Sequence, residues 1–187
     1  MADILAEVGG ERPWQYWCQD ETRLGLMTLL GKRITLPGVK PEQPVQWPRE
    51  AIWLYGIVAP STGESFFYEF SHLDTACFEA FLDLVSQAYP DVLNVIQLDQ
   101  APAHTSHKLR IPENIVLLYQ PPHSPELNPI ERIWEDLKRD FKGEIFATLD
   151  DLRDALREVL GYLTPNWIAA MTQYPFIMDA LSVSISS

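Results

Sequence analysis

Cysteine is scarce in this 187-residue chain, and the two present, Cys18 and Cys77, stand far apart with no second cysteine beside either. That excludes a CxxC metal site and a disulfide framework, and it points to a reducing compartment. Long apolar runs are missing as well: none approaches the ~20 residues of a membrane span. The opening Met1-Ala-Asp-Ile-Leu-Ala-Glu lacks the basic and apolar regions of a signal peptide. The expectation is a cytoplasmic protein with no membrane partner. Basic residues are few, 14 Lys and Arg against 26 Asp and Glu, for a net charge of −12. Such a balance argues against a surface that embraces nucleic acid on every side. The deficit is uneven, however, because residues 101–142 hold as many basic as acidic side chains. No internal repeat or low-complexity segment appears.

What is present is a globular composition, 47% apolar, 21% charged and 11% aromatic, in a length that suits one domain with a full core. Trp14-Gln-Tyr-Trp-Cys-Gln-Asp20 alternates with a period of two and predicts a strand ending in a carboxylate. Gly25 to Gly38 reads as a second strand with a turn, and the proline-rich stretch from Pro37 to Pro48 as a loop. Ile52–Val58 and Ser65–Phe70 flank Pro60-Ser-Thr-Gly63, a hairpin signal. Asp74 is placed to cap a helix carrying Phe78, Phe81, Leu82 and Val85 on one face, stopped by Pro90. Val92 to Asp99 and Ile115 to Tyr119 are short apolar runs that read as buried strands. After Asn128 and Pro129, the stripe Ile130, Ile133, Trp134, Leu137 and Phe141 predicts an amphipathic helix. Leu149, Leu152, Leu156, Val159 and Leu163 predict another, followed by Pro165 and a less regular tail.

Three of these elements present a carboxylate: Asp20, Asp99 and Glu131. If they converge, two charges about 4 Å apart repel by on the order of 4 kcal/mol at an effective dielectric near 20, and a divalent cation would relieve the strain. Hard oxygen donors without a Cys or His cluster select Mg²⁺ or Mn²⁺ over Zn²⁺, and a pair of such ions suits phosphoryl transfer. Each residue also has a plainer reading. Asp20 and Asp99 fit polar strand terminators, and Asn128-Pro-Ile-Glu131 fits a capping box with Glu131 reaching back to the Asn128 N–H.

The surrounding segments bear on that choice. Asp20-Glu-Thr-Arg-Leu-Gly-Leu, Leu98-Asp-Gln-Ala-Pro-Ala-His104-Thr, and Pro121-Pro-His-Ser-Pro-Glu-Leu-Asn-Pro-Ile-Glu131-Arg-Ile-Trp134 with Lys138 closely resemble, in order and spacing, the catalytic domain of DDE transposases of the IS630/Tc1-mariner superfamily. The resemblance covers about residues 14–142. It implies an α/β, RNase H-like fold, a mixed five-stranded sheet flanked by helices. The expected division is a lead over 1–13, the DDE domain over 14–147 and a C-terminal helical extension of that domain over 148–187. It further implies that Asp20, Asp99 and Glu131 are the catalytic, metal-binding triad for two Mg²⁺ or Mn²⁺ ions. The implied activity is cut-and-paste DNA cleavage and strand transfer, with transposon ends and a TA target as DNA partners and a homodimer as one assembly. Two departures stand out: Gln100 occupies a position where the family usually has Asn, and the spacing from Asp99 to Glu131 is slightly short. Only 19 residues precede Asp20, where the family places helix-turn-helix domains, so recognition of element ends is expected from a portion outside this chain.

His104 matches the family's His after the second Asp and is taken, with Lys138, as a candidate DNA contact. Lys138 lies seven residues beyond Glu131, on the same helical face. Glu135, one turn on, opposes phosphate unless it helps bind a metal or pairs with Arg139. His123 sits in the loop before Glu131, His72 and His107 have no partner pattern, and no GxSxG elbow presents Ser124 as a nucleophile. The alternative to an active domain is a non-catalytic remnant serving as a dimerisation or regulatory module.

Overall fold

The computed structural model describes residues 12–30, 36–38, 40 and 44–185. Five strands, β1 (Trp14–Gly25), β2 (Ala51–Val58), β3 (Ser65–Phe70), β4 (Leu93–Leu98) and β5 (Ile115–Tyr119), form one sheet in the order β3-β2-β1-β4-β5. The first three run antiparallel in sequence, whereas β4 and β5 lie parallel to β1. Helix α1 (Thr75–Ala88) makes the crossover from β3 to β4. Helices α2 (Ile130–Asp140), α3 (Leu149–Gly161), α4 (Pro165–Thr172) and α5 (Pro175–Ile185) follow β5.

Alternation along β1 sorts the core into two layers. Tyr16, Cys18 and Leu24 join Ile133, Trp134 and Leu137 of α2 with Leu152, Leu156, Ile168, Ile177 and Leu181 of the last three helices. Trp17 faces the other way, with Phe78, Phe81, Leu82 and Val85 of α1. Strands covered on both sides need apolar residues at nearly every position, which is why Leu93–Leu98 lacks a polar face. The helices after residue 148 complete the same core layer as α2.

Local signals set most boundaries. Asp74 caps α1, its Oδ1 accepting from the Cys77 N–H at 2.8 Å, and the helix ends before Tyr89-Pro90. Thr148 and Asp151 form a capping box at α3. Gly63, at φ +76, turns the β2–β3 hairpin where a Cβ would collide with the Pro165 carbonyl, so the hairpin tip and the start of α4 meet backbone to backbone.

Three sequence expectations change. The first strand does not stop at Asp20; the alternation continues through buried Thr22 and Leu24, and pairing with β2 runs to Gly25 opposite Ala51. The expected second strand over 25–38 is not formed where it is described: beyond Gly25 the chain leaves the sheet, its Leu26 and Thr28 N–H groups bonding to the Glu50 and Gln46 carbonyls and Leu29 forming an isolated bridge with Lys142, just past α2. Residues 31–35 of that expectation lie outside the described residues. The irregular tail is two helices, because Pro165 occupies a first helical turn, where its missing N–H costs nothing, and Thr164 caps it.

Candidate functional site

Asp20 stands in the middle of β1, opposite Gly56 of β2. A Cβ on Gly56 would lie 2.7 Å from both the Phe67 and Trp134 rings. The missing side chain therefore lets Trp134 of α2 lie across β2, and its indole Nε1–H donates to Asp20 Oδ2 at 2.9 Å. Burial first, then the charges of Glu21, Glu131 and Asp99, push the Asp20 carboxyl up to about 8.

Asp99 is the residue immediately after β4, where strand pairing has ended. Its Oδ1 accepts from the Ala101 N–H at 2.9 Å and meets His104 Nδ1 at 2.8 Å. The His104 bond holds this carboxyl below its ordinary range, against a smaller opposing effect of burial.

Glu131 is the second residue of α2, and the capping-box reading of it does not hold. Pro129 occupies the cap position with no side-chain bond to the helix, and the Asn128 N–H bonds to the Pro125 carbonyl instead. Asn128 turns its side chain inward, where Nδ2 donates to the Gln19 carbonyl of β1 at 2.8 Å. Gln97 of β4 adds a second latch, donating to the Leu127 carbonyl at 3.0 Å. The start of α2 is thus fastened to both central strands, and Glu131 is released from capping. Burial raises its pKa most; Lys138 opposes the rise, and Glu135 and Asp99 add to it.

These shifts put the three carboxylates within one another's electrostatic reach. Among the described residues, however, no three His, Cys, Asp or Glu side chains stand close enough to hold a metal ion between them. A cavity of about 570 Å³ opens beside Glu131, lined by Pro125, Glu126, Arg132, Glu135 and Tyr174. Arg132 lies 4.4 Å over the Tyr174 ring.

The two expected DNA contacts are placed very differently. Lys138 is half-buried on α2 and acts electrostatically on Glu131. His104 is only 1% exposed, and its ring nitrogens are taken by Asp99 at 2.8 Å and Glu21 at 3.0 Å. It offers no free ring nitrogen to a phosphate, so its expected DNA contact gives way to a bridge between carboxylates. Burial opposes its charge most strongly, yet the bonds to the two carboxylates prevail and raise its pKa to about 9. Arg139 pairs with Asp136 rather than Glu135, which leaves Glu135 facing the cavity with Glu131.

Sequence reasoning missed Glu21 and the polar duty of Trp134. Glu21 follows Asp20 directly and points to the opposite face of the strand, so proximity in sequence concealed a separate environment. Trp134 sat on the expected core stripe, and only the gap at Gly56 reveals that its N–H is used.

A model of the DDE superfamily endonucleases matches residues 15–153 of this chain. The chain belongs to that family. Over 102 residues it is 33% identical to the uncharacterized protein y4pE/y4sA of Sinorhizobium fredii, covering 54% of this chain and 76% of that one. Over 68 residues it is 35% identical to the Tcb2 transposase of Caenorhabditis briggsae, covering 35% of this chain and 25% of that protein. Among solved structures, the Mos1 transposase paired-end complex with the left transposon end aligns at a TM-score of 0.68 and 14% identity, covering 91% of this chain and 55% of that one. The Mos1 mariner paired end complex with Mn aligns at a TM-score of 0.65 and 14% identity, over 91% and 56% of the two chains. At that identity the likeness establishes the fold: this DDE domain has the RNase H-like fold of Mos1. It spans about half the length of the Mos1 chains and a quarter of Tcb2.

Proposed function

We propose that this DDE domain cleaves DNA phosphodiester bonds at transposon ends and joins the freed ends to target DNA, with Asp20, Asp99 and Glu131 holding two Mg²⁺ or Mn²⁺ ions. The observation that supports the reading is the placement of three carboxylates on β1, just past β4 and in the first turn of α2, with Glu131 relieved of capping and the charges of Glu131 and Asp99 adding to burial in raising Asp20. The donor chemistry fits such ions: every candidate ligand is a hard oxygen, and an Asp20 carboxyl pushed up to about 8 by burial and neighbouring charge is one that a cation would return to its ionised form.

Bound there, the ions would supply a lowered pKa for the attacking hydroxyl and charge relief at the leaving oxygen. The chain's own residues do the rest. Trp134 orients Asp20, the bonds on Asp99 Oδ1 leave Oδ2 without a bond among the described residues, and the two latches from Gln97 and Asn128 fix the approach of Glu131. In cleavage, water oxygen bonds to phosphorus as the bond to the 3′-oxygen breaks, leaving a 3′-hydroxyl and a 5′-phosphate. In strand transfer that 3′-hydroxyl loses its proton and displaces a 3′-oxygen of the target strand. Lys138 is placed to meet a phosphate beside Glu131. Recognition of the element ends is assigned to a helix-turn-helix portion outside this chain. A TA target, paired chains and a cytoplasmic, nucleoid-bound setting complete the reading.

A second reading, a non-catalytic module acting in dimerisation or regulation, draws on the net charge of −12. One assay separates the two. Purified chain incubated at low salt with supercoiled DNA should nick it in Mn²⁺, and Asp99→Ala or Glu131→Gln should lower the rate by at least about a hundredfold. Identical traces for wild type and variants would favour the non-catalytic module.

A further inference from the structure

We infer that Glu21 and His104 form a positioning pair that fixes which way the Asp99 carboxylate points, an inference resting on the reading of Asp99 as a cation ligand. The need for such a device follows from where Asp99 sits. Strand pairing ends at Leu98 opposite Tyr119, and the Asp99 side chain is 48% exposed, so nothing in the sheet selects its rotamer. His104 is the opposite kind of residue. It is 1% exposed, its ring lies 4.3 Å from that of Phe78, its N–H bonds to the Ala101 carbonyl, and its own carbonyl accepts from the Tyr119 hydroxyl at 2.8 Å.

Behind His104 stands Glu21, whose side chain is 5% exposed on the centre strand and is held by the Gln19 amide at 2.8 Å and by His104 Nε2 at 3.0 Å. A rigid anchor in the middle of the sheet is therefore relayed through a packed ring to a loop carboxylate. His104 Nδ1 and the Ala101 N–H both fall on Asp99 Oδ1, which leaves Oδ2 without a hydrogen bond among the described residues. Burying an acid and an imidazole is unfavourable unless each is paired. Here the pairing extends to an exposed group of the site, more than a purely structural pair requires. Bonds of this kind to a ligand's second oxygen ordinarily set metal affinity by 10- to 100-fold.

Two substitutions of similar size separate positioning from packing. The amide nitrogen of Asn lies as many bonds from Cα as His Nδ1, and that of Gln as many as His Nε2. His104→Asn therefore keeps a donor for Asp99 and loses Glu21, whereas His104→Gln keeps Glu21 and loses Asp99. Mn²⁺ titrations of the full chain, read by electron paramagnetic resonance without DNA, should show affinity weaker by about threefold for His104→Asn, where the bond to Asp99 is kept but its anchor on Glu21 is lost, and by at least about tenfold for His104→Gln; wild-type affinity in His104→Asn would overturn the part given to Glu21. Crystal structures of both variants give a readout independent of metal: Asp99 should keep its rotamer in the first and lose it in the second. Equal Mn²⁺ affinities in the two variants, or an unmoved Asp99 in His104→Gln, would overturn the inference. If wild type binds no Mn²⁺ while Asp99 moves only in His104→Gln, the proposed metal chemistry fails and the positioning pair stands.

Discussion

Asp20 and Asp99 are the same residue type on neighbouring strands, yet their surroundings treat the negative charge in opposite ways. Asp20 lies inside β1 under the Trp134 ring, and burial with three carboxylates around it pushes it up to about 8. Asp99 lies past the end of β4, half open to solvent, where His104 and a backbone N–H hold it below its ordinary range. The electrostatic strain of the site is thus concentrated on one member. A cation arriving here would find Asp99 already ionised and would have to displace a proton from Asp20 at neutral pH, so uptake should release protons.

The largest expected effect is on how metal-free stability changes with pH. The folded-state pKa of Asp20 is raised, so its contribution is fully present below the unfolded value of ~3.9 and is lost as pH rises through about 8. His104 is also raised, and its contribution is present below ~6.5 and lost as pH rises through about 9. Both act in one direction, so the melting temperature should fall steadily from pH 5 to pH 9. Asp20→Asn should flatten the part between pH 4 and 8 and leave the fall between 6.5 and 9. Asp99 has the opposite sign: its contribution is present above ~3.9 and is lost as pH falls through its depressed value. Asp99→Asn should therefore lower stability at pH 7, where Asp20→Asn raises it. Each pKa unit corresponds to about 1.4 kcal/mol, which makes the wide Asp20 window the most visible signal. Calorimetric melts in chelator at several pH values check both signs, and equal responses from the two variants would erase the contrast.

That contrast was only partly legible in the sequence. The strands, α1, α2 and the three carboxylates follow from period-two and 3.6-residue patterns and from matching motifs, because burial writes those patterns directly. From spacing alone the carboxylates looked equivalent, each an acid at the edge of an element. What distinguishes them depends on contacts between residues distant in sequence: Trp134 reaching Asp20 over the gap at Gly56, and His104 joining Asp99 to Glu21. The plain role of Glu131 as a capping residue was ruled out by Asn128 bonding to Gln19 in β1, a contact that no local pattern encodes. The extent of the first strand is hidden for a similar reason. Asp20 resembles a terminator, but its partner strand β2 begins at Ala51 and carries the pairing on to Gly25.

A smaller effect tests the cover over Asp20. Gly56→Ala would drive a methyl group into the Phe67 and Trp134 rings, and such overpacking costs about 1–3 kcal/mol. Trp134→Phe keeps an aromatic ring but removes the N–H, and loss of a bond to a buried polar group costs about 1–3 kcal/mol. Urea unfolding of both variants should show losses in this range. Neither change touches Asp99, so the bond pattern on its Oδ1 should persist in a crystal structure of either variant. If Asp99 shifts along with Trp134, the two environments are not independent.

The smallest effect concerns Lys138, which faces the third carboxylate. Its ammonium opposes the rise in the Glu131 pKa, and the side chain is half-buried with no ion-pair partner among the described residues. Lys138→Ala should therefore change stability little while leaving Glu131 harder to ionise, so that Mn²⁺ uptake moves to higher pH. Its proposed contact with phosphate has a separate signature. Each phosphate neutralised contributes about −0.9 to the slope of log affinity against log salt. Binding to a duplex should lose about one unit of slope in Lys138→Ala and weaken equally on transposon-end and scrambled sequences. Asp99→Asn supplies the comparison: it removes a negative charge beside the proposed phosphate path, and in chelator it should strengthen binding with no loss of slope. A Lys138→Ala variant with an unaltered slope would make Lys138 a partner of Glu131 alone, and the phosphate contact would have to be sought on Arg132, whose guanidinium lies over Tyr174 in the lining of the cavity beside Glu131.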